Sequence, residues 1–335
     1  MAVQSTLTWQ TGEVVEASAA ADGVRRLVIR PDRPVPAGPG THVDVEVLDG
    51  DRVLRRSYSI VSSENAGQRW TLSVHLAPKS RGGSRAMHAL APGDRLRISG
   101  PLQNFPLGVG ARRYILLAGG IGVTALVAMA RTLKRRGDDY TFVYVGRSRS
   151  AMAWLDHLGQ EHGDRLQVHV DDEGTSLDVG ALVGQVVDDR LAADTELYMC
   201  GPIRLMDAVR REWAKQALPT ANLRFETFGN SGAWAPQEFS VSIPDTGCTI
   251  TVPEDRSLLE ALELAGVEVM WDCRKGECGL CVVRVRAHQG RIDHRDVFLD
   301  EEQKATDERI CLCVSRVAAE TAGAGGAPVV VIERP

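Results

Sequence analysis

The chain has 335 residues, 44% hydrophobic and 25% charged, enough for two or three domains with a core each. A formal net charge of −5 leaves no basic surplus to neutralise phosphates, which argues against nucleic-acid binding. The opening MAVQSTLTWQ has neither the basic start nor the apolar core of an export signal, so a cytoplasmic location is expected.

In chain order, the first hundred residues alternate apolar and polar positions between Gly and Pro turns. VRRLVIRPD, THVDVEVLDGD, RWTLSVHLAP and DRLRISGP predict short antiparallel strands, hence a barrel or sandwich. From about Arg112 the rhythm changes. YILLAG is a buried strand, Thr124 to Arg136 a helix and YTFVYVG a strand; RLQVHV and ELYMCG are further strands, and RLMDAVRREWAKQ is an amphipathic helix. Strands alternating with helices imply a parallel sheet. The uncharged stretch 114–130 sits at the lower limit of ~17–25 residues for a membrane span. Glycines interrupt it and arginines flank both sides, so strand, turn and helix is the reading, with no membrane partner.

GNSGAWAPQE, residues 229–238, is rich in turn residues and reads as a linker. Beyond it FSVSIPDTGCTITV predicts a hairpin turning at Asp245 to Gly247, and SLLEALELAG a short helix with Ser257 and Glu260 placed for a capping box. A cysteine-rich loop, the strand CVVRVRA and a last strand VVVIE follow. From Gln237 onward 18 acidic residues face 11 basic ones, so the last module is acidic. That suits either electrostatic docking of a partner or plain solvation.

Most of the seven cysteines lie in this last part. Without an export signal, metal binding explains them better than disulfides. Cys273, Cys278 and Cys281 in DCRKGECGLC show the C-x4-C-x2-C spacing of a plant-type 2Fe–2S loop. Gly276 and Gly279 let backbone amides approach the sulfurs. The fourth ligand is Cys311 or Cys313; these alternate, so one extended segment is not expected to turn both toward one centre. A structural zinc site is the rival, but it usually pairs two short knuckles. Cys248, on the hairpin, is expected to be packing.

Two turns of the middle region suit a nucleotide. In LLAGGIGVTAL, residues 116–126, a strand runs through glycines into a helix whose first amides can meet a pyrophosphate. In YMCGP, residues 198–202, a later strand ends on a thiol. Both lie at the C-terminal strand ends where open parallel sheets bind nucleotides, although Cys200 alone is more often a buried filler. In the first module RRSYSI (55–60) and RGGSRAMH (81–88) offer a flavin site. Tyr58 would lie against the ring, with Arg56 and the Gly82–Gly83–Ser84 turn on the phosphate. Each motif alone is equally an ordinary strand edge or turn.

RSYS, GGS, GGIGVT and CGP, in this order and followed by the plant-type cysteine loop, resemble the phthalate dioxygenase reductase family, to which vanillate demethylase reductase is related. The resemblance covers essentially the whole chain. It implies an FMN-binding antiparallel β-barrel (1–109), an NAD-binding α/β domain with a parallel sheet (110–228), the linker (229–238) and a β-grasp 2Fe–2S ferredoxin domain (239–335). Carried over by residue, it makes Arg56, Ser57, Tyr58, Ser59, Gly82, Gly83 and Ser84 FMN contacts. Gly119, Gly120, Gly122 and Thr124 face the nicotinamide nucleotide, with Cys200, Gly201 and Pro202 near the nicotinamide. Phe228 in RFETFG covers the flavin, so Cys200, Thr124 and Phe228 would surround the reacting atoms. CVSR selects Cys313 over Cys311 as fourth ligand. DHRD, 293–296, fits the family without an evident physical role beyond fixing a turn. Ala125 replaces a customary proline, and His75 stands where a lysine is frequent near the flavin.

The expected activity is an NADH-dependent oxidoreductase: NADH reduces FMN, and a 2Fe–2S cluster takes the electrons singly to a partner. The partner would be a Rieske-type terminal oxygenase or demethylase, or alternatively a cytochrome P450; a non-catalytic metal-binding sensor is the remote alternative. Asp171 and Asp172, after RLQVHV, would repel a 2′-phosphate and favour NADH over NADPH.

Overall fold

The computed structural model describes residues 8–50, 52–78, 82–188, 192–228, 232, 234–319 and 327–334. The chain divides into two compact units, the first ending at Glu226 and the second starting at Thr227. Of the expected linker, residues 229–231 and 233 lie outside the described residues.

The first unit opens with an antiparallel β-barrel. Its strands are β1 (Trp9–Ala21), β2 (Val24–Pro31), β3 (Thr41–Asp49), β4 (Arg52–Ser59), β5 (Ser62–Glu64), β6 (Arg69–His75), β7 (Arg95–Ser99) and β8 (Leu102–Gln103), with helix α1 (Gly83–Ala89) inserted after β6. The order is β4-β3-β7-β1-β2-β6-β5, with β8 on β3. Alternation in THVDVEV turns Val43, Val45 and Val47 into a core shared with Leu27, Ile29, Trp70, Leu72 and Ile98. The long β1 was not evident in the sequence because its second half, EASAAA, carries few large apolar residues.

A parallel sheet follows, from β9 (Arg113–Gly119), β10 (Tyr140–Gly146), β11 (Leu166–Val170), β12 (Thr195–Cys200) and β13 (Leu223–Glu226). Helices α2 (Val123–Arg136), α3 (Leu155–His162), α4 (Val179–Asp188) and α5 (Ile203–Lys215) connect them. The order β11-β10-β9-β12-β13 reverses direction between β9 and β12, and that switch leaves a crevice at the strand ends. Buried on both faces, β9 is a continuous apolar run, Tyr114 to Ala118. The stretch that mimics a membrane span is therefore β9 and the first half of α2. No helix among the described residues is long and apolar enough to cross a membrane.

The second unit has β14 (Phe239–Ile243), β15 (Cys248–Val252), β16 (Val282–Gln289), β17 (Arg291–Asp293), β18 (Arg309–Cys311), β19 (Arg316–Ala318) and β20 (Val329–Ile332), with α6 (Leu258–Leu264) and α7 (Glu301–Ala305). The main sheet runs β15-β14-β20-β16-β18, a β-grasp in which β14 and β20 are parallel. The hairpin β14–β15 closes as expected, with Ile243 opposite Cys248. Ser257 caps α6 by accepting from the Glu260 amide, and Glu260 answers on the Ser257 amide. Leu258, Leu259 and Leu262 then pack on Phe239, Val241, Ile310 and Val330.

Candidate functional site

In the second unit the chain from Cys273 to Cys281 forms an irregular loop between α6 and β16. The amides of Lys275, Glu277 and Cys278 all point at Cys273 Sγ, each at 3.4 Å. This convergence requires positive φ at Arg274 (53°) and Gly276 (76°). A Cβ on Gly276 would come within 2.7 Å of Val314 and 2.9 Å of the Asp296 Cα, so only glycine fits there. Arg274, which pays for the same region of φ/ψ space with a side chain, is pinned by Glu263 (2.6 Å) and by the Trp271 ring, 3.7 Å away.

The two later cysteines both reach this loop, contrary to the expectation from their alternation. Cys311 ends β18 opposite Val282. The chain then turns, with the Val314 and Ser315 amides returning to the Cys311 carbonyl (3.4 and 3.0 Å). The turn swings Cys313 back beside Cys311. Cys281, Cys311 and Cys313 offer sulfurs within 4.8 Å of one another. Hydrogen bonding from Cys313 holds the Cys273 thiol at about 5. Hydrogen bonds from Cys311 and then Cys313 hold Cys281 at about 3. Cys313 is itself pushed up, first by its bond to Cys273 and then by those to Cys281 and Cys311. Burial raises Cys278. An all-sulfur donor set on a loop rich in inward amides fits an iron–sulfur cluster, whose thiolates take such hydrogen bonds.

DHRD, which had no evident role, braces this loop. Asp293 and Arg295 are paired at 2.7 Å, and Arg295 reaches the Trp234 carbonyl. The Asp296 carboxylate accepts from the Leu299 amide (2.8 Å) and the Ser315 hydroxyl (3.2 Å), while the Val297 amide donates to the Gly276 carbonyl. The Thr227 hydroxyl lies 2.9 Å from the Lys275 carbonyl and 2.8 Å from the Glu277 carboxylate, one proton serving either acceptor, and the Thr227 amide donates to Glu277. The contacts to Trp234, Ser315, Gly276, Lys275 and Glu277 pair residues far apart in sequence, and nothing local announces them.

In the first unit, Arg56 and Tyr58 share one face of β4, and Ser57 and Ser59 take the other. The Arg56 side chain lies 2.8 Å from where a Cβ on Gly83 would stand. Gly82 caps α1, Gly83 and Ser84 open it, and the Ser84 hydroxyl accepts from the Ala77 amide. Burial pushes the Tyr58 hydroxyl up to about 12. Ser57 donates to Asp44 (2.6 Å). Partial burial, helped by Arg147 and His88, holds His75 below its ordinary value.

At the switch point, Gly119 to Gly122 after β9 meet Cys200 to Pro202 after β12. A Cβ on Gly201 would stand 2.9 Å from the Gly119 Cα, and one on Gly122 would overlap the Cys200 carbonyl. Gly120 sits in the same single turn. Thr124 is buried, its hydroxyl donating to the Ile121 carbonyl (2.9 Å). Cys200 is buried and lies between Ala118 and Glu226 in register. Glu226 was not singled out from the sequence, yet it is 1% exposed and accepts from the Ser59 hydroxyl at 3.4 Å. Its signal was slight: an acidic residue closing a four-residue strand whose other members are half-buried. Asp171 is exposed in a turn after β11, accepting from Ser176 (2.8 Å). Phe228, in the second unit, is 42% exposed.

The 2Fe-2S iron-sulfur cluster binding domain family matches residues 241–318. Vanillate O-demethylase oxidoreductase of Pseudomonas putida is 36% identical over 83% of this chain and 86% of its own. The phthalate dioxygenase reductase structure, titled a modular structure for electron transfer from pyridine nucleotides to [2Fe-2S], superposes with a TM-score of 0.75. It is 28% identical, over 97% of this chain and 98% of its own. An intact type IV self-sufficient cytochrome P450 monooxygenase matches at 33% identity and a TM-score of 0.66, over 97% of this chain but only 41% of its own. This chain thus spans about two fifths of that protein. A 2Fe–2S module behind a barrel and a nucleotide-type sheet, alike over nearly the full length, settles the kinship: the chain belongs to the phthalate dioxygenase reductase-like family of oxidoreductases, the reductase components of oxygenase systems.

Proposed function

We propose that the chain carries electrons from NADH through FMN to a 2Fe–2S cluster held by Cys273, Cys278, Cys281 and Cys313, and from there to a Rieske-type terminal oxygenase or demethylase. When bound, the nicotinamide supplies a hydride, the flavin divides the pair and the cluster carries single electrons. The observation that carries the reading is the convergence of three amides on Cys273, with the Cys313 sulfur within 4.8 Å of that of Cys281.

Residues 1–109 hold the flavin in this reading. Tyr58 lies against its plane, with Ser57 and Ser59 along the strand. Arg56 with Gly82, Gly83 and Ser84 takes the phosphate, which the family resemblance makes that of FMN. Residues 110–228 hold the nicotinamide nucleotide. Gly119, Gly120, Gly122, Gly201 and Pro202 let backbone approach it closely, and Thr124 keeps the turn closed. Cys200, Ser59 and Glu226 stand where the nicotinamide meets the flavin and exclude water there. The exposed carboxylates of Asp171 and Asp172 disfavour a 2′-phosphate. Residues 239–335 hold the cluster, and their acidic surplus suits a basic face on the oxygenase. A cytoplasmic setting suits seven cysteines of which none is paired in a disulfide.

The likeness to a self-sufficient cytochrome P450 favours one second reading, the same electron path serving a P450. The test is chemical. Protein purified under protection from air should contain iron, acid-labile sulfide and FMN, and its visible bands should bleach with NADH. Cys313→Ala should remove iron and sulfide while the flavin still bleaches. Absence of iron from the parent protein would overturn the reading, FAD in the extract would correct the flavin, and turnover with a P450 but no Rieske oxygenase would select the second reading.

A further inference from the structure

Four cysteines complete a 2Fe–2S site, yet five crowd this one. The extra thiol, Cys311, is fully buried. Its Sγ lies 3.4 Å from Cys281 Sγ and 3.7 Å from Cys313 Sγ, both assigned above as ligands. Its place is fixed by backbone and not by chance packing. Cys311 pairs with Val282, the residue after Cys281. The Leu312 amide donates to the Cys281 carbonyl (3.2 Å), and the Ser315 amide to that of Cys311 (3.0 Å). The ladder and the turn thus hold the Cys311 thiol against two ligand sulfurs at S–H···S distance.

Resting on the cluster reading above, we propose that Cys311 is a positioning residue, a thiol donor to the ligand sulfurs of Cys281 and Cys313 that raises the reduction potential of the cluster. A thiol is a weak donor and a thiolate a good acceptor. Hydrogen bonds to cluster sulfurs help set the potential. Reduction adds one negative charge, so the donor binds the reduced form more strongly and draws electrons from the flavin side. An alternative role as filler needs only a small apolar group of the same volume.

The variants Cys311→Ala and Cys311→Ser, compared with the parent full-length protein, separate these roles. Both should load iron and sulfide. In a redox titration followed by the cluster absorbance, Cys311→Ala should take up its electron at a lower potential. The equilibrium constant for reduction should fall roughly fivefold, a tenfold fall being 59 mV for one electron. Cys311→Ser keeps a donor and should titrate at or above the parent. If both variants titrate with the parent, the thiol is a filler and the proposal fails. If Cys311→Ala loses iron while Cys313→Ala keeps it, Cys311 is a ligand and the proposal fails differently. Should Cys311→Ala not fold, the parent protein decides. Its infrared S–H stretch should shift on cluster reduction, and the shifting band should vanish in Cys311→Ser. A band that ignores reduction overturns the idea. Iron-free parent protein would instead remove the underlying cluster reading.

Discussion

Single residues at the two turns of the parallel sheet leave no spare volume. A methyl on Gly122 would overlap the Cys200 carbonyl, and that carbonyl belongs to backbone that cannot step aside. Gly122→Ala should cost about 1–3 kcal/mol, the usual range for overpacking, and slow NADH-driven flavin bleaching at least tenfold; denaturant melts and stopped-flow traces measure the two. His294 makes a second residue-scale case. Burial opposes its charge, but Asp296 (3.8 Å) and Asp307 (2.8 Å) outweigh it and raise the imidazole above its ordinary value of 6.5. Its contribution is therefore complete below pH 6.5 and lost as pH rises through the raised value. Asp296 is the mirror case, set against burial by His294 and the Leu299 amide and lowered from 3.8. Its share is present above 3.8 and lost as pH falls through the lowered value. Thermal melts of the second unit should weaken toward alkaline pH by a contribution on the order of 1 kcal/mol, and His294→Gln should flatten that limb. Of these residues, the glycines were legible, because strand-turn-helix spacing marks them. His294 was not, because its partner lies thirteen positions away across a fold that sequence alone does not draw.

At the scale of elements, local chemistry and legibility go together. The capping box at Ser257 and Glu260 could be read from four letters, and the structure contains both of its hydrogen bonds. Ser257→Ala should cost about 1 kcal/mol, read as a lower midpoint for cluster loss in denaturant. Helix α3 illustrates the opposite. It starts from Trp154 in a left-handed conformation with no side-chain cap, held by the indole donating to Ser73 on the barrel (3.1 Å). A start set by a tertiary contact leaves no local signature. The cysteine pair 311 and 313 misleads for a related reason. Alternation assumes a strand, and the strand stops at the first of the two.

The molecule as a whole divides its charge unevenly, with 18 acidic against 11 basic residues from Gln237 onward. If that surplus guides an oxygenase to the cluster, added salt should slow electron delivery to the partner, since exposed charges are screened over roughly 10 Å at 0.1 M. Flavin bleaching by NADH, which needs no partner, should be indifferent to the same salt. Equal sensitivity of both would assign the acidic surface to solvation alone.

Strand β20 has a further meaning for biogenesis. It lies between β14 and β16, so the middle of the ferredoxin sheet is supplied by Val329–Ile332, made after every cysteine. A nascent chain can complete the barrel and the parallel sheet while still being translated, but its thiols emerge into an unfinished fold. Iron delivery therefore belongs after synthesis has passed residue 332, and a chain truncated before Val329 should be born with a sound front half and no place for iron.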